Sequence, residues 1–214
     1  SEKLQGLIWI HTISSRTNDT EVSAIPLNED VKKKVVKKLE EYEGRTNHMY
    51  LDSEEKVTIG VGHLIKDRSA VDKIVLCTTK NGVPAQIASL KAKLDEYDTI
   101  AKQPINYQAY WYKQHTSLVM KNEDIQDLFD KHIDSFYKEL RGTYQKSKGY
   151  FDDFDNLPHN VQLALFDMVF NLGADKIVNT FTQYDKAIQT GDWAKAAQES
   201  KRNGISCDRN EYVK

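Results

Sequence analysis

The stretch EGRTNHMYLDSEEKVTIGVGH, Glu43 to His63, brings together two acids, a hydroxyl and two glycines at spacings suited to acid/base chemistry. Glu43 directly precedes Gly44, a helix stop, so its carboxyl is expected in the last turn of a helix. Unpaired carbonyls there disfavour a negative charge, and burial would push its pKa the same way, upward. A carboxyl held protonated near neutrality can serve as a general acid. Asp52 sits among Ser53, Glu54, Glu55 and Lys56, a polar loop in which a carboxylate stays solvated and is the natural base. From Val57 to His63 the residues alternate: Val57, Ile59 and Val61 on one face, Thr58, Gly60 and Gly62 on the other. Thr58 is therefore expected on an open strand face, beside glycines whose bare backbone would let a bulky ligand approach. Two carboxyls in contrasting surroundings beside a hydroxyl are what hydrolysis of a glycosidic bond requires.

These residues need elements to hold them. Upstream, Asn28 caps a helix whose apolar stripe is Val31, Val35, Leu39 and Tyr42, with Lys32 to Lys34, Lys37 and Lys38 largely on its solvent face. Downstream, Asn122 to Gly142 keeps Ile125, Leu128, Phe129, Ile133, Phe136, Tyr137 and Leu140 in helical register over more than four turns. Leu157-Pro158 then opens VQLALFDMVFNLG, apolar nearly all round, which reads as a buried central helix ending at Gly173. Between these lies residues 66–116, with strand character at Lys73 to Thr78, a turn at Asn81-Gly82 and a helical pattern from Ala85 to Tyr97. Its Tyr107, Tyr110, Trp111 and Tyr112 form either a platform for sugar rings or the cover of a local core, and packing is the commoner use of such clusters.

The acid in a Glu-Gly pair at a helix end, the Asp nine residues on, the Thr six further and the Gly-x-Gly-His after it resemble the catalytic core of the phage-type lysozymes, the T-even phage family or glycoside hydrolase family 24. That resemblance implies an α+β, mainly helical, two-lobed fold: a small antiparallel sheet lobe and a helical lobe joined by a long helix. It implies Glu43 as acid, Asp52 as base orienting a water, Thr58 helping to hold that water, and inversion at the anomeric carbon with the carboxyls roughly 6.5–9.5 Å apart. It further places Leu64 and Phe170 on the saccharide cleft and Arg209 near the acid, where pairing would lower the pKa of Glu43 and oppose the helix-end effect. Gly60 and Gly62 complete the implied substrate contacts, and His63 is read as a supporting structural residue. The resemblance covers about 28–65 and 120–210, continuing through Phe181, Trp193 and the tail from Asn203 to Arg209. Residues 1–27 are read as an N-terminal extension, 28–214 as the lysozyme-like catalytic domain and 66–116 as an insertion within it.

The substrate so implied is peptidoglycan, cut at the β-1,4 bond from N-acetylmuramic acid to N-acetylglucosamine, with no cofactor. A metal site from His48, Asp52 and His63 has no recognised ligand spacing, and Gly60-x-Gly62 lacks the third glycine of a nucleotide loop. A net charge of −2 argues against nucleic-acid binding, and no apolar run approaches membrane-spanning length. Hydrophobic content of 39% and charged content of 29% are those of a globular chain, and a monomer is expected. Cys77 and Cys207 suggest neither a metal knuckle nor a redox pair. With no secretion signal at its start, the chain is expected to reach the periplasm or cell wall of a target bacterium through a secretion system, a larger polypeptide or phage lysis machinery. As a delivered toxin it would have an immunity protein docking on the insertion. The competing reading is a non-catalytic peptidoglycan-binding module that keeps a lysozyme-like cleft.

Overall fold

The computed structural model describes residues 26–203 and 205–214; the predicted arm thus lies almost wholly outside the described residues. The fold is α+β and mainly helical, in two compact units. One is Glu43–Lys131; the other combines the described residues up to Tyr42 with His132–Lys214. The described strands all lie in the first unit.

In that unit β1 (Thr46–Leu51), β2 (Val57–Gly60) and β3 (His63–Leu64) form an antiparallel sheet in that order. The β1–β2 register runs from Leu51 opposite Val57 and Tyr50 opposite Thr58 to Thr46 opposite Gly60. Four residues of β1 therefore span the same length of ladder as two of β2, so β1 bulges between Thr46 and Tyr50.

Residues 66–116 build most of a second sheet. A 3₁₀ turn at Arg68–Lys73 is capped by Asp67, whose carboxylate accepts from Ser69 and Ala70. Strands β4 (Cys77–Lys80) and β5 (Val83–Ile87) follow as a hairpin. Its Asn81-Gly82 turn has φ of +53° and +76°, the left-handed pair that a two-residue hairpin prefers. The turn stands where the sequence predicts it, but the expected helix from Ala85 does not. Val83–Ile87 pairs with β4 instead, and helix α2 (Leu90–Ala101) starts only after Ser89, whose hydroxyl accepts from the amide of Ala92. The expected strand at Lys73 to Thr78 likewise begins later, at Cys77: the 3₁₀ turn takes Lys73, and residues 74–76 connect it to the strand. A second 3₁₀ turn, Ala109–His115, precedes β6 (Leu118–Val119), which pairs with β4 to give the order β5-β4-β6. Glu96 of α2 fixes this return: one carboxylate oxygen accepts from the amide and hydroxyl of Ser117 and the amide of Leu118. Burial pushes its pKa up, against those three hydrogen bonds.

Helix α1 (Glu29–Glu43), all but its last residue in the second unit, follows its predicted cap, with Asn28 Oδ1 accepting from Asp30 and Val31, and its predicted stripe buries Val31, Val35 and Leu39. Helix α3 (Asn122–Thr143) gives residues up to Lys131 to the first unit and the rest to the second. Helices α4 (His159–Leu172), α5 (Ala174–Thr180), α6 (Thr182–Thr190), α7 (Trp193–Glu199) and α8 (Cys207–Val213) complete the chain. As expected, α4 is buried almost all round, with Phe166 and Phe170 against Tyr137 and Phe136 of α3. Burying such an aromatic side chain contributes about 1.5–3 kcal/mol.

One charged cluster sits inside this helical unit. Asp167 of α4 accepts from Arg202 Nη1 at 2.7 Å and from Arg209 Nε at 2.8 Å, all three side chains being buried. Removing one partner of a buried pair costs about 3–5 kcal/mol. Asp167→Asn, which removes the carboxylate charge that both buried guanidiniums share, is expected to lower the stability of this unit by about that amount; an unchanged urea midpoint would refute it. His132 supplies a second test. Burial holds its pKa down at about 4, against 6.5 for an unperturbed imidazole. The neutral ring's contribution is thus complete above pH 6.5 and lost as pH falls from there through 4. In His132→Phe that part of the acid-side slope of stability disappears, as urea titrations at several pH values would register.

Candidate active site

The functional groups predicted within Glu43 to His63 all belong to the first unit. Glu43 is the last residue of α1, before Gly44 at φ +73°, and only 7% of it is exposed. Asp52 follows β1 directly and builds the tight turn into β2. Its Oδ1 accepts from the amides of Glu54 and Lys56, both at 2.9 Å. The backbone closes the same turn: the Asp52 amide donates to the Lys56 carbonyl, and the Glu55 amide, from a residue at φ +62°, donates to the Asp52 carbonyl. The other carboxylate oxygen, Oδ2, accepts from Thr58 Oγ1 at 3.2 Å. That hydroxyl lies equally near the Lys56 carbonyl, also at 3.2 Å, so one proton is shared between two acceptors.

Two details depart from the sequence reading. Thr58 is buried, 3% exposed, rather than on an open face, because Tyr50 and Leu64 stand opposite it on the neighbouring strands. The alternation also does not run through to His63. β2 ends at Gly60, and Gly60 and Gly62 turn the chain into β3 with φ of +69° and +64°. Their primary use is a turn that side chains with a Cβ rarely adopt.

Tyr50 was absent from the candidates and belongs among them. It lies opposite Thr58 in the β1–β2 pair and is 3% exposed. Its phenol is pushed far above its ordinary range, first by burial and then by the charges of Glu43 and Asp52. A single side chain thus senses both carboxyls. The signal was available in the sequence: a tyrosine two residues before Asp52 shares its strand face wherever that stretch is extended.

The remaining candidates fall in both units. Leu64 and His63 are half-buried on β3. Phe170 is fully buried in the second unit, its ring 5.3 Å from that of Phe136. Arg209, in the same unit, has its guanidinium 5.0 Å from the centre of the Tyr42 ring, besides its bond to Asp167. His48, on β1, places Nε2 2.9 Å from the Ala109 carbonyl. No group of three His, Cys, Asp or Glu residues suited to a metal gathers among the described residues. Cys77 is buried, Cys207 exposed, and both are free thiols. No described helix is long and apolar enough to cross a membrane.

The aromatic residues of the 66–116 segment differ in exposure. Tyr112 is fully buried and donates to the Pro104 carbonyl. Tyr107 and Trp111 stack at 4.1 Å, and Tyr110 stands 73% exposed.

No family model matches the chain. Two curated proteins of Dictyostelium discoideum are similar to it, named probable T4-type lysozyme 2 and probable T4-type lysozyme 1, at 29% and 27% identity. Each match extends over 164 residues, 75% of this chain and 78% of the relative. The α+β, mainly helical architecture and the Glu43, Asp52 and Thr58 spacing agree with that similarity, and the phage-type lysozymes are the family this chain resembles.

Proposed function

We propose that this protein is a muramidase, hydrolysing the β-1,4 bond between N-acetylmuramic acid and N-acetylglucosamine in peptidoglycan by an inverting acid/base route. The observation that carries the reading is the Asp52–Thr58 hydrogen bond, on a strand pair whose Tyr50 feels both Asp52 and the buried acid Glu43. Glu43 delivers its proton to the glycosidic oxygen as the bond to the anomeric carbon breaks. A water attacks that carbon from the opposite face and gives up a proton to Asp52. Thr58 spends its own proton on Asp52 and Lys56, so its oxygen lone pairs accept from the water. With one hydrogen directed to Asp52 and the other to Thr58, the water has a lone pair aimed at carbon. The place of action is the peptidoglycan layer itself.

General acid catalysis contributes roughly 10²–10⁴-fold. Glu43→Gln is expected to lose about that factor in release of soluble muropeptides from purified peptidoglycan, read by mass spectrometry after borohydride reduction. Wild-type products should carry reducible muramic acid ends, which by NMR appear first as the α anomer. Release by the variant at the wild-type rate removes Glu43 from the chemistry; a β anomer first would make Asp52 a nucleophile. No release by the wild type, with binding retained, would favour the non-catalytic module.

Thr58→Ala removes one hydrogen bond, worth about 1–1.5 kcal/mol net, and is expected to lower kcat about tenfold with KM little changed. Thr58→Ser should restore most of it. A serine variant as slow as the alanine one would show that the methyl, and hence packing, was responsible.

A further inference from the structure

The insertion does more than lengthen the chain: together with the bulge of β1 it encloses a groove. The cavity measures about 320 Å³ and is lined by Arg45, Thr46, Asn47, His48, Tyr110, Asn122 and Ile125, all within the first unit. That volume is at the lower end of the ~300–1,000 Å³ usual for small-molecule sites. Three walls meet there. One is the bulged start of β1, where the strand leaves its ladder with β2. The second is the first turn of α3, tied to β1 by Arg45, which donates to the Asn122 carbonyl and to Gln126. The third is the 3₁₀ turn of residues 109–115, docked through the His48–Ala109 contact.

The lining has a definite chemistry. Asn47 and Asn122 present planar amides at the surface, and Thr46 and Tyr110 present hydroxyls. The side chains of Thr46, Tyr110 and Asn122 make no hydrogen bond to any described residue, so their donors and acceptors remain for a ligand. The exposed Tyr110 ring lines the same groove as Ile125 and adds a flat apolar surface to this polar set. No carboxylate lines the groove. An exposed aromatic face beside neutral amides and hydroxyls matches an acetamido sugar, whose ring offers an apolar face and whose edge offers hydroxyl, N–H and carbonyl groups.

We infer that this groove is a second glycan-binding site, which holds an acetamido-sugar segment of the peptidoglycan strand outside the catalytic residues. The inference rests on the muramidase reading for the identity of the polymer. The occupant follows also from continuity: the strand that forms the groove at Thr46 to His48 leads to Asp52, roughly 20 Å away at most at ~3.3 Å per residue. Two sites on one element can hold two segments of one polymer, and the second binding event is then intramolecular, which raises retention without tightening either site.

The test uses the full chain carrying Glu43→Gln, titrated with a soluble β-1,4-linked N-acetylglucosamine tetrasaccharide and followed by amide NMR, with co-sedimentation on purified sacculi in parallel. The side-chain amides of Asn47 and Asn122 are expected to shift saturably. Adding Tyr110→Ala should abolish those shifts and weaken retention on sacculi about tenfold or more. Tyr110 is exposed, so its truncation leaves the core untouched, and the unperturbed amide spectrum verifies that. Movement around Asp52 and Thr58 with none at Asn47 and Asn122 overturns the groove, as does retention unaffected by Tyr110→Ala. Shifts at Asn47 and Asn122 that Tyr110→Ala removes, in a protein whose wild type cleaves nothing, would leave the groove standing and bring down the muramidase reading instead.

Discussion

The carboxylate of Asp52 holds the turn that holds it. One oxygen ties down the amides of Glu54 and Lys56, the backbone closes around it, and the other oxygen takes the Thr58 hydroxyl. Once that turn is set, Leu51 must face Val57 and Tyr50 must face Thr58. A slip of one residue would carry Thr58 to the other face of the sheet. The geometry of the candidate base is thus the geometry of the hairpin, and a group so held needs little reorganisation to act. The same coupling makes Asp52 a poor place to separate chemistry from folding, since its replacement also removes the turn's acceptors. Thr58 is the cleaner probe because it contributes one proton and no part of the turn's backbone closure.

The helical unit solves a different problem. Helix α8 has only seven residues, too few to bury a large apolar face, yet it carries the fully packed Arg209. Charge does the anchoring: Asp167 on α4 receives Arg209 and Arg202, Arg202 also donates to the Arg209 carbonyl, and Asn210 and Arg202 exchange side-chain and backbone hydrogen bonds. Two guanidiniums on one carboxylate leave the cluster dependent on good geometry, because desolvation of ions is repaid only when their partners are in place. The short helix is therefore fixed in one position rather than left to slide on an apolar surface.

What could be read from the sequence followed how local its cause was. The cap at Asn28, the stop at Gly44, the Asn81-Gly82 turn, the long α3 and the buried α4 each depend on residues within a turn or two, and all stand where the pattern put them. Val83–Ile87 misled because its exposed side chains carry no clear period, and only pairing with β4 across the hairpin decides that it is a strand. Thr58 was placed on the correct strand face, but whether that face is open depends on Tyr50 and Leu64, partners supplied by two other strands. Glu43, Asp52 and Thr58 were legible as a candidate set because they occupy one continuous stretch; Tyr50 was missed because its place beside them comes from the register rather than from its own neighbours.

The 66–116 segment is joined to the first sheet without disturbing its core. It leaves from Ile65, whose amide donates to Val57 on β2, and the chain returns at Met120, whose amide donates to Asn47 on β1. Both ends are attached to adjacent strands of one sheet, so closing the loop demands no rearrangement of that sheet, and the entropic cost grows only slowly with the length between. What the sheet concedes is the bulge. By carrying two extra residues between Thr46 and Tyr50, β1 frees Asn47 and His48 from the β2 ladder to meet Met120 and Ala109, while Tyr50 keeps its register with Thr58. The irregularity separates two duties along one strand: its C-terminal half stays bound to the geometry of the site, and its N-terminal half is free to accept a new element and the groove that comes with it.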